Sequence, residues 1–553
     1  MATQAVSYVP AAAHGGEVRP WHRLRAMLSR ERSALWTAII YSIAIALLSL
    51  ALPVATQSVV NTIAFGNLLQ PLLILTLTVA GLLVLSGILQ MIRFYVVEMI
   101  QRRVFVQITS DSVNRLLRAR IDSLQLRNGP ELVNRWLEVA SVQKSAATLL
   151  VDGLSIVMQT LAGMVLLGLY HPWLLAFDAL LVLALLVVVF PLGFHAVETA
   201  VKESKAKYAL VAWLEEIARH ARVFRPKSPG DWAFARTNEL VHHYLHYRAL
   251  HFRILLRQYG GALLIQAIAS AALLGVGGLL VIQRQLTLGQ LVAAELVVAA
   301  VVSGISKMAK HLESYYDMLA SVDKLGMLTD LPVEQEGAEP PVIKDGPASV
   351  EVRTPNFTVR IAPGERVGMD GVSGSGKTLF ADAVCGFRQP PGWTVEIDGV
   401  DIRHLRLAEL RTGVQLVRGV EIFEGTILEN IRVGREDVSL QDIQATLELL
   451  GVWEALQALP DALNTQLATG GAPLSEGQAQ ILMIARAIVA RPRLLILDET
   501  LDYIMDAKER ERITEVVFRK NQPWTLLVVT SRPDLLARCD KVVDMPMGTV
   551  RRA

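Results

Sequence analysis

Six apolar stretches, each near the length a helix needs to cross a hydrocarbon layer, lie within the first 311 residues, at roughly 34–56, 70–92, 148–170, 172–194, 259–282 and 289–311. In lipid a backbone must satisfy its own amides, so runs of this length are read as helices. The connectors alternate in length. Gly66–Gln70, Tyr170–Pro172 and Gln283–Thr287 are short, whereas about 93–147 and 195–258 are long and helical in pattern. The long connectors carry nine and eleven Lys or Arg, against a single Arg284 in the three short ones. That asymmetry places the long connectors, and everything after the last span, on the cytoplasmic side. The first span is too long and too deep for a cleavable signal. Residues 1–18, rich in Ala and Gly, read as a disordered tail.

Hydrophobic residues make up 52% of the chain and charged ones 19%, and the apolar excess sits before residue 312. A chain of 553 residues with so uneven a distribution implies at least two domains. The expected division is a membrane domain at 19–330, an acidic, proline-rich linker at 331–345 and a second domain at 346–553. Each long connector reads as helix with a punctuated turn, Arg127–Pro130 in the first and Arg225–Gly230 in the second; the first turn is read as ending in a short helix and the second as a plain loop. A net charge of +2 argues against nucleic acid as the partner. Two cysteines, Cys385 and Cys539, exclude a disulfide framework and read as buried small hydrophobes.

The second half carries a phosphate loop: Gly371, Val372, Ser373, Gly374, Ser375, Gly376, Lys377 and Thr378. Glycines let successive N–H groups converge on phosphates, Lys377 reaches the terminal phosphates, and the Thr378 hydroxyl suits magnesium. A strand-like run before it (366–370) and a helix-like run after it (379–384) supply the context such a loop needs. Further on come Leu474, Ser475, Glu476, Gly477 and Gln478, then a short apolar strand Leu494–Leu497 ending in Asp498 and Glu499. Taken alone, 474–478 is an ordinary serine-capped helix start, and Glu499 a solvated carboxylate.

With these segments in this order, the chain resembles a half-transporter of the ATP-binding cassette exporter family. Phe423–Ile431 and Leu286–Gln290 agree more softly. The resemblance implies an α-helical polytopic membrane domain of six spans, exporter type, plus an α/β phosphate-loop NTPase domain. It implies ATP and Mg2+ as cofactors, with Thr378 and Asp498 toward the metal and Glu499 polarising the attacking water. It also implies that Leu474–Gln478 grips the γ-phosphate held by a second half-transporter, identical or a different paralogue. The expected activity is ATP-driven export of a lipid, drug-like molecule, peptide or protein across the cytoplasmic (inner) membrane.

Four positions depart from the family pattern. Arg418 stands where a glutamine is expected, Ser531 where a histidine is, and Met505 where an aspartate is, with Asp506 one residue late. The segment Ser349–Phe357 looks too short for the hairpin that bears a base-stacking aromatic, and it holds no tyrosine. These changes leave open a self-sufficient homodimer in which Arg418 supplies charge, the impaired half of a heterodimer, and a non-transporting ATP-binding regulator. No cysteine precedes the first span, so a leader-trimming protease domain is not expected there. Ionisable groups inside spans are costly, which marks Glu295 and Asp178 as candidates for a substrate chamber. Arg93 and Glu98 read as a span's inner end, and Gln57, Asn61, Gln90, Gln159 and Gln266 as chamber lining or as helix-to-helix bonds.

Overall fold

The computed structural model describes residues 20–65, 69–126, 129–341, 345–545 and 549–552. The tail expected at 1–18 lies outside them, as do parts of the turns at 66–70 and 127–130. The chain forms two compact units. One runs to Arg118 and resumes over Gln125–Leu331, and the other combines Ala119–Leu124 with Pro332 onward.

The first unit is built of helices. Leu69–Arg118 is one helix of 50 residues, Lys227–Ile282 one of 56, and Leu288–Thr329 one of 42. At 1.5 Å per residue the longest extends roughly 84 Å, far beyond a hydrocarbon core of about 30 Å. The long connectors are therefore largely continuations of spans. Leu288–Thr329 starts sharply because Thr287 and Gln290 form a reciprocal capping box, which accounts for the Leu286–Gln290 pattern.

Among the described residues five helices are long and apolar enough to cross a bilayer, and the stretch expected at 289–311 lies in the 42-residue helix Leu288–Thr329, apolar over Leu288–Gly304. Two expectations change here. The span expected at 172–194 stops at Val189. Pro191 cannot continue the helix, and Gly193 sits where an added Cβ would collide with the Val189 carbonyl oxygen. The turn expected at 225–230 is shorter than read, since Lys227–Gly230 already form the first turn of the 56-residue helix.

One face of the bundle is packed, with Leu167, Leu174, Leu181, Ala262, Ala269 and Leu273 buried together. Leu73, Leu77, Val84 and Met91 are exposed, as suits side chains whose solvent is lipid.

The second unit contains two main sheets. Strands β1 (Val350–Arg353), β2 (Thr358–Ile361), β4 (Thr394–Ile397) and β5 (Val400–Asp401) form an antiparallel sheet in the order β2-β1-β4-β5. Strands β3 (Arg366–Gly371), β6 (Val414–Arg418), β9 (Leu494–Asp498), β10 (Thr525–Val529), β11 (Lys541–Met545) and β12 (Thr549–Arg552) run in the order β12-β11-β3-β10-β9-β6, parallel except for β12. A small pair joins β7 (Gly425–Thr426) and β8 (Gln466–Leu467). Every residue of β9 and β10 is buried, as expected of central strands covered on both faces.

The β1–β2 hairpin, judged too short from the sequence, does form. The Thr354 side chain organises its turn by bonding the backbone of Asn356 and Phe357. Glu351 and Arg353, which alternate with the buried positions of β1, pair with each other at 2.8 Å, so that strand offers no stacking ring. Residues read as linker are tied down: Glu334 meets Arg411 at 2.7 Å, and the Gly337 N–H donates to the Leu405 carbonyl.

Phe380, on the helix Lys377–Val384 that follows the phosphate loop, is fully buried and packs edge-on near Trp393. Phe380→Ala is expected to destabilise the second unit by about 3–5 kcal/mol. Denaturant unfolding of the full chain, followed by fluorescence of Trp393 and Trp524, checks this; an unchanged midpoint contradicts it.

Candidate nucleotide site

The phosphate loop follows from its glycines. Gly371, Gly374 and Gly376 take φ of 148°, 81° and 99°. At Gly371 a Cβ would sit 2.5 Å from the Met545 carbonyl oxygen and 2.7 Å from the Ser375 hydroxyl, so only glycine fits. The loop turns directly into the helix Lys377–Val384, whose first N–H groups are free to receive an anion. Lys377 is buried and folds back over the loop, donating to the carbonyls of Gly371 (2.6 Å) and Val372 (3.3 Å). The Ser375 hydroxyl is buried without a partner, while Val372, Ser373, Gly374 and Thr378 are exposed. This is a built cradle whose lysine is bonded to weak acceptors that a phosphate can replace.

Parallel pairing of β6 with β9 sets Arg418 directly beside Asp498. Asp498 is buried, and its Oδ2 accepts from Arg418 Nε at 2.6 Å. A second carboxylate, which the sequence reading missed, comes from Asp382: Arg418 Nη1 donates to it at 2.8 Å. Arg418 Nη2 reaches the Thr378 carbonyl at 3.3 Å. Burial works against the Arg418 charge, but its bonds to Asp382 and Asp498 outweigh that and hold its pKa above the ordinary value. Asp382 also faces Arg388 at 3.2 Å, and Arg388 in turn faces Asp122 at 2.9 Å, so an ion chain Asp122–Arg388–Asp382–Arg418–Asp498 runs through this unit. An acidic residue in the apolar run 379–384 was the signal for Asp382.

Thr378 is exposed and Asp498 keeps one carboxylate oxygen unpartnered, so these two residues fit the expected magnesium, which takes its remaining ligands from phosphate and water. One Asp498 oxygen is bonded to a guanidinium, and the other is buried without a partner. No group of three or more His, Cys, Asp or Glu poised for a metal occurs among the described residues.

Glu499 follows β9 in a left-handed conformation (φ 55°), anchored by its N–H to the Val529 carbonyl at 2.9 Å. Its side chain is exposed. Thr500 locks the next turn by donating to the Val417 carbonyl. Ser531 is exposed, and Met505 is 88% exposed. Asp506 does not stand in for the displaced aspartate, because its carboxylate caps the helix Ala507–Phe518 by accepting from the N–H groups of Lys508 and Glu509. Ser475 caps the helix Glu476–Val489 in a box with Gln478, and Leu474, Glu476 and Gly477 surround that helix start. Cys385 and Cys539 are buried as expected, and burial pushes both thiols up to about 12.

The candidates in the helical unit do not gather. Glu295 is exposed on Leu288–Thr329, whereas Asp178 is buried with neither carboxylate oxygen partnered. Arg93, read as a span end, is instead buried and donates to Ser42 and Ser155. Glu98 pairs with Arg102 on the surface, and Gln57 accepts from Tyr170 across two helices.

A parallel sheet with a phosphate loop after β3, an acidic pair after β9 and a serine-capped helix between them defines a cassette-type ATPase unit, here joined to a polytopic helical one. The chain belongs to the ABC transporter family. The family model for the ABC transporter matches residues 354–502, and that for the ABC transporter transmembrane region matches residues 35–217. It is similar to an ATP-dependent lipid A-core flippase of Thiobacillus denitrificans, 36% identical over 35% of this chain and 34% of that protein. A flippase of the same description from Burkholderia thailandensis is 25% identical over 85% of this chain and 82% of its own. A cyclolysin secretion/processing ATP-binding protein of Bordetella pertussis is 29% identical over 52% and 42%. At the higher identities, the chain spans about a third of the length of the curated relatives it matches. The structure of a bacterial Atm1-family ABC exporter with ATP bound shares the fold, with a TM-score of 0.83, 20% identity and 94% of each chain covered.

Proposed function

We propose that this chain is one half of an ATP-driven exporter in the cytoplasmic membrane, assembled with a second copy of itself. The observation that carries this reading is a formed phosphate loop after β3 and an exposed Glu499 after β9 of the same sheet, in one chain with helices long enough to cross lipid.

ATP hydrolysis needs few groups, because phosphoryl transfer is governed by positioning and charge. The loop N–H groups hold the phosphates, and Lys377 exchanges its two loop carbonyls for phosphate oxygens. Glu499 orients the attacking water and takes its proton as the bond to the γ-phosphorus forms and the bond to the ADP oxygen breaks. The Ser475-led helix of the second copy closes over the γ-phosphate. The bases of the spans and the ATPase unit face the cytoplasm, where ATP is. An impaired half of a heterodimer is disfavoured by the intact Glu499. The relatives' names span lipid and protein cargo, so the substrate class stays as broad as lipid, drug-like molecule, peptide or protein.

The purified chain in lipid nanodiscs is expected to hydrolyse ATP continuously as a two-copy assembly. A lone protomer that binds nucleotide without turnover would instead identify a nucleotide-sensing regulator and overturn this reading.

A further inference from the structure

We propose that the helical unit of each chain carries its own capture site for cargo, one that takes a small water-soluble organic anion bearing hydroxyl groups. The capture role rests on the export reading above; the binding site does not. A cavity of about 450 Å³ opens between the helices Glu138–Thr148, Ala196–Arg219 and Leu288–Thr329, all within the first unit. Each helix supplies one lysine to its walls, Lys144, Lys207 and Lys310 respectively. Among the described lining residues only Ala200 and Ala320 are apolar. An acyl chain or an aromatic drug finds no apolar wall there to bury against.

Charge decides what the cavity takes. Glu138 is already satisfied, since it accepts from Ser321 at 2.6 Å, Tyr208 at 2.8 Å and Lys207 at 3.0 Å. Glu203 is held by Arg248 at 3.3 Å. Lys144, Lys310 and Asp317 are exposed and form no ion pair among the described residues. Two ammonium groups against one carboxylate favour an anion, and lysine binds phosphate or carboxylate as a compact point charge. Asp317 and the hydroxyls of Ser141, Ser145 and Ser204 line the same walls and suit hydroxyl groups on that anion. Position then separates a solute from a lipid headgroup. The apolar part of the last long helix ends at Gly304, so Lys310 lies roughly 9 Å and Asp317 roughly 20 Å further along it. A headgroup layer is only about 5–8 Å deep, which leaves the cavity beyond it.

The full-length chain in phosphatidylcholine nanodiscs, without nucleotide, is titrated with glycerol phosphate by calorimetry. One molecule per chain is expected to bind and glycerol is expected not to, while Lys144→Gln and Lys310→Gln each weaken binding about 10–100-fold. Lys310→Arg, which keeps the charge, is expected to stay within about three-fold of wild type. Both lysines are exposed and outside ion pairs, so these variants are expected to keep the wild-type thermal midpoint. Glycerol phosphate is also expected to speed ATP turnover by wild type and not by the two glutamine variants. No binding, or binding that both glutamine variants retain, overturns the site while ATP turnover, and with it the export reading, stands. Binding lost when phosphatidylglycerol replaces phosphatidylcholine puts a lipid headgroup in the cavity and overturns the water-soluble assignment. Binding that leaves turnover unchanged overturns the capture role. Absence of any ATP turnover by wild type strikes the export reading and leaves the binding site in place.

Discussion

Glu499→Gln is expected to cut ATP turnover by the purified chain at least about 100-fold, the range over which a positioned general base acts. The exchange preserves size and leaves the anchoring bond from the Glu499 N–H to Val529 untouched, so folding and nucleotide affinity should not change. Its effect falls on the transition state alone, which lowers kcat without raising Kd. Phosphate release measured beside ATPγS binding separates the two quantities. Turnover within about threefold of wild type would mean that this carboxylate is not the base. It would then return the chain to the role of a partner-dependent half.

Lys377→Ala should instead abolish tight nucleotide binding. The ammonium is held over the loop by two backbone carbonyls, poised to exchange them for phosphate oxygens. Hydrogen bonds to a charged group are worth about 1.5–3 kcal/mol each, so its loss is expected to weaken ATP about 10–100-fold. The two carbonyls it leaves belong to a loop that is open to water, so the cost in stability is small. Calorimetry with ATPγS checks the affinity, and a thermal scan checks that the fold persists. An unaltered Kd would show that the loop does not hold the terminal phosphates as argued.

Much of the site was legible because its parts are local. The glycines of 371–376 specify their own conformation, the apolar run Leu494–Leu497 declares a doubly covered strand, and Ser475 with Gln478 spells out a helix start. The departures at Arg418, Ser531 and Met505 were visible in the same way, as residue types out of place. Their consequences were not. Asp506, one residue late, looked like a shifted aspartate until the helix it caps was seen. The hairpin at 350–361 was missed because four-residue strands carry too little periodicity to declare themselves, and the end of the fourth span because an apolar stretch hides Pro191 and Gly193.

The amino-acid order by itself determined that the first half is lipid-length helix and that the second holds a phosphate cradle with an acidic pair behind it. Both follow from rules acting over a few neighbouring residues. Only tertiary structure decided what Arg418 does. It lies 80 residues from Asp498 and 36 from Asp382. No local rule joins them; the parallel register of β6 on β9 and the packing of the loop's helix bring one guanidinium between two carboxylates.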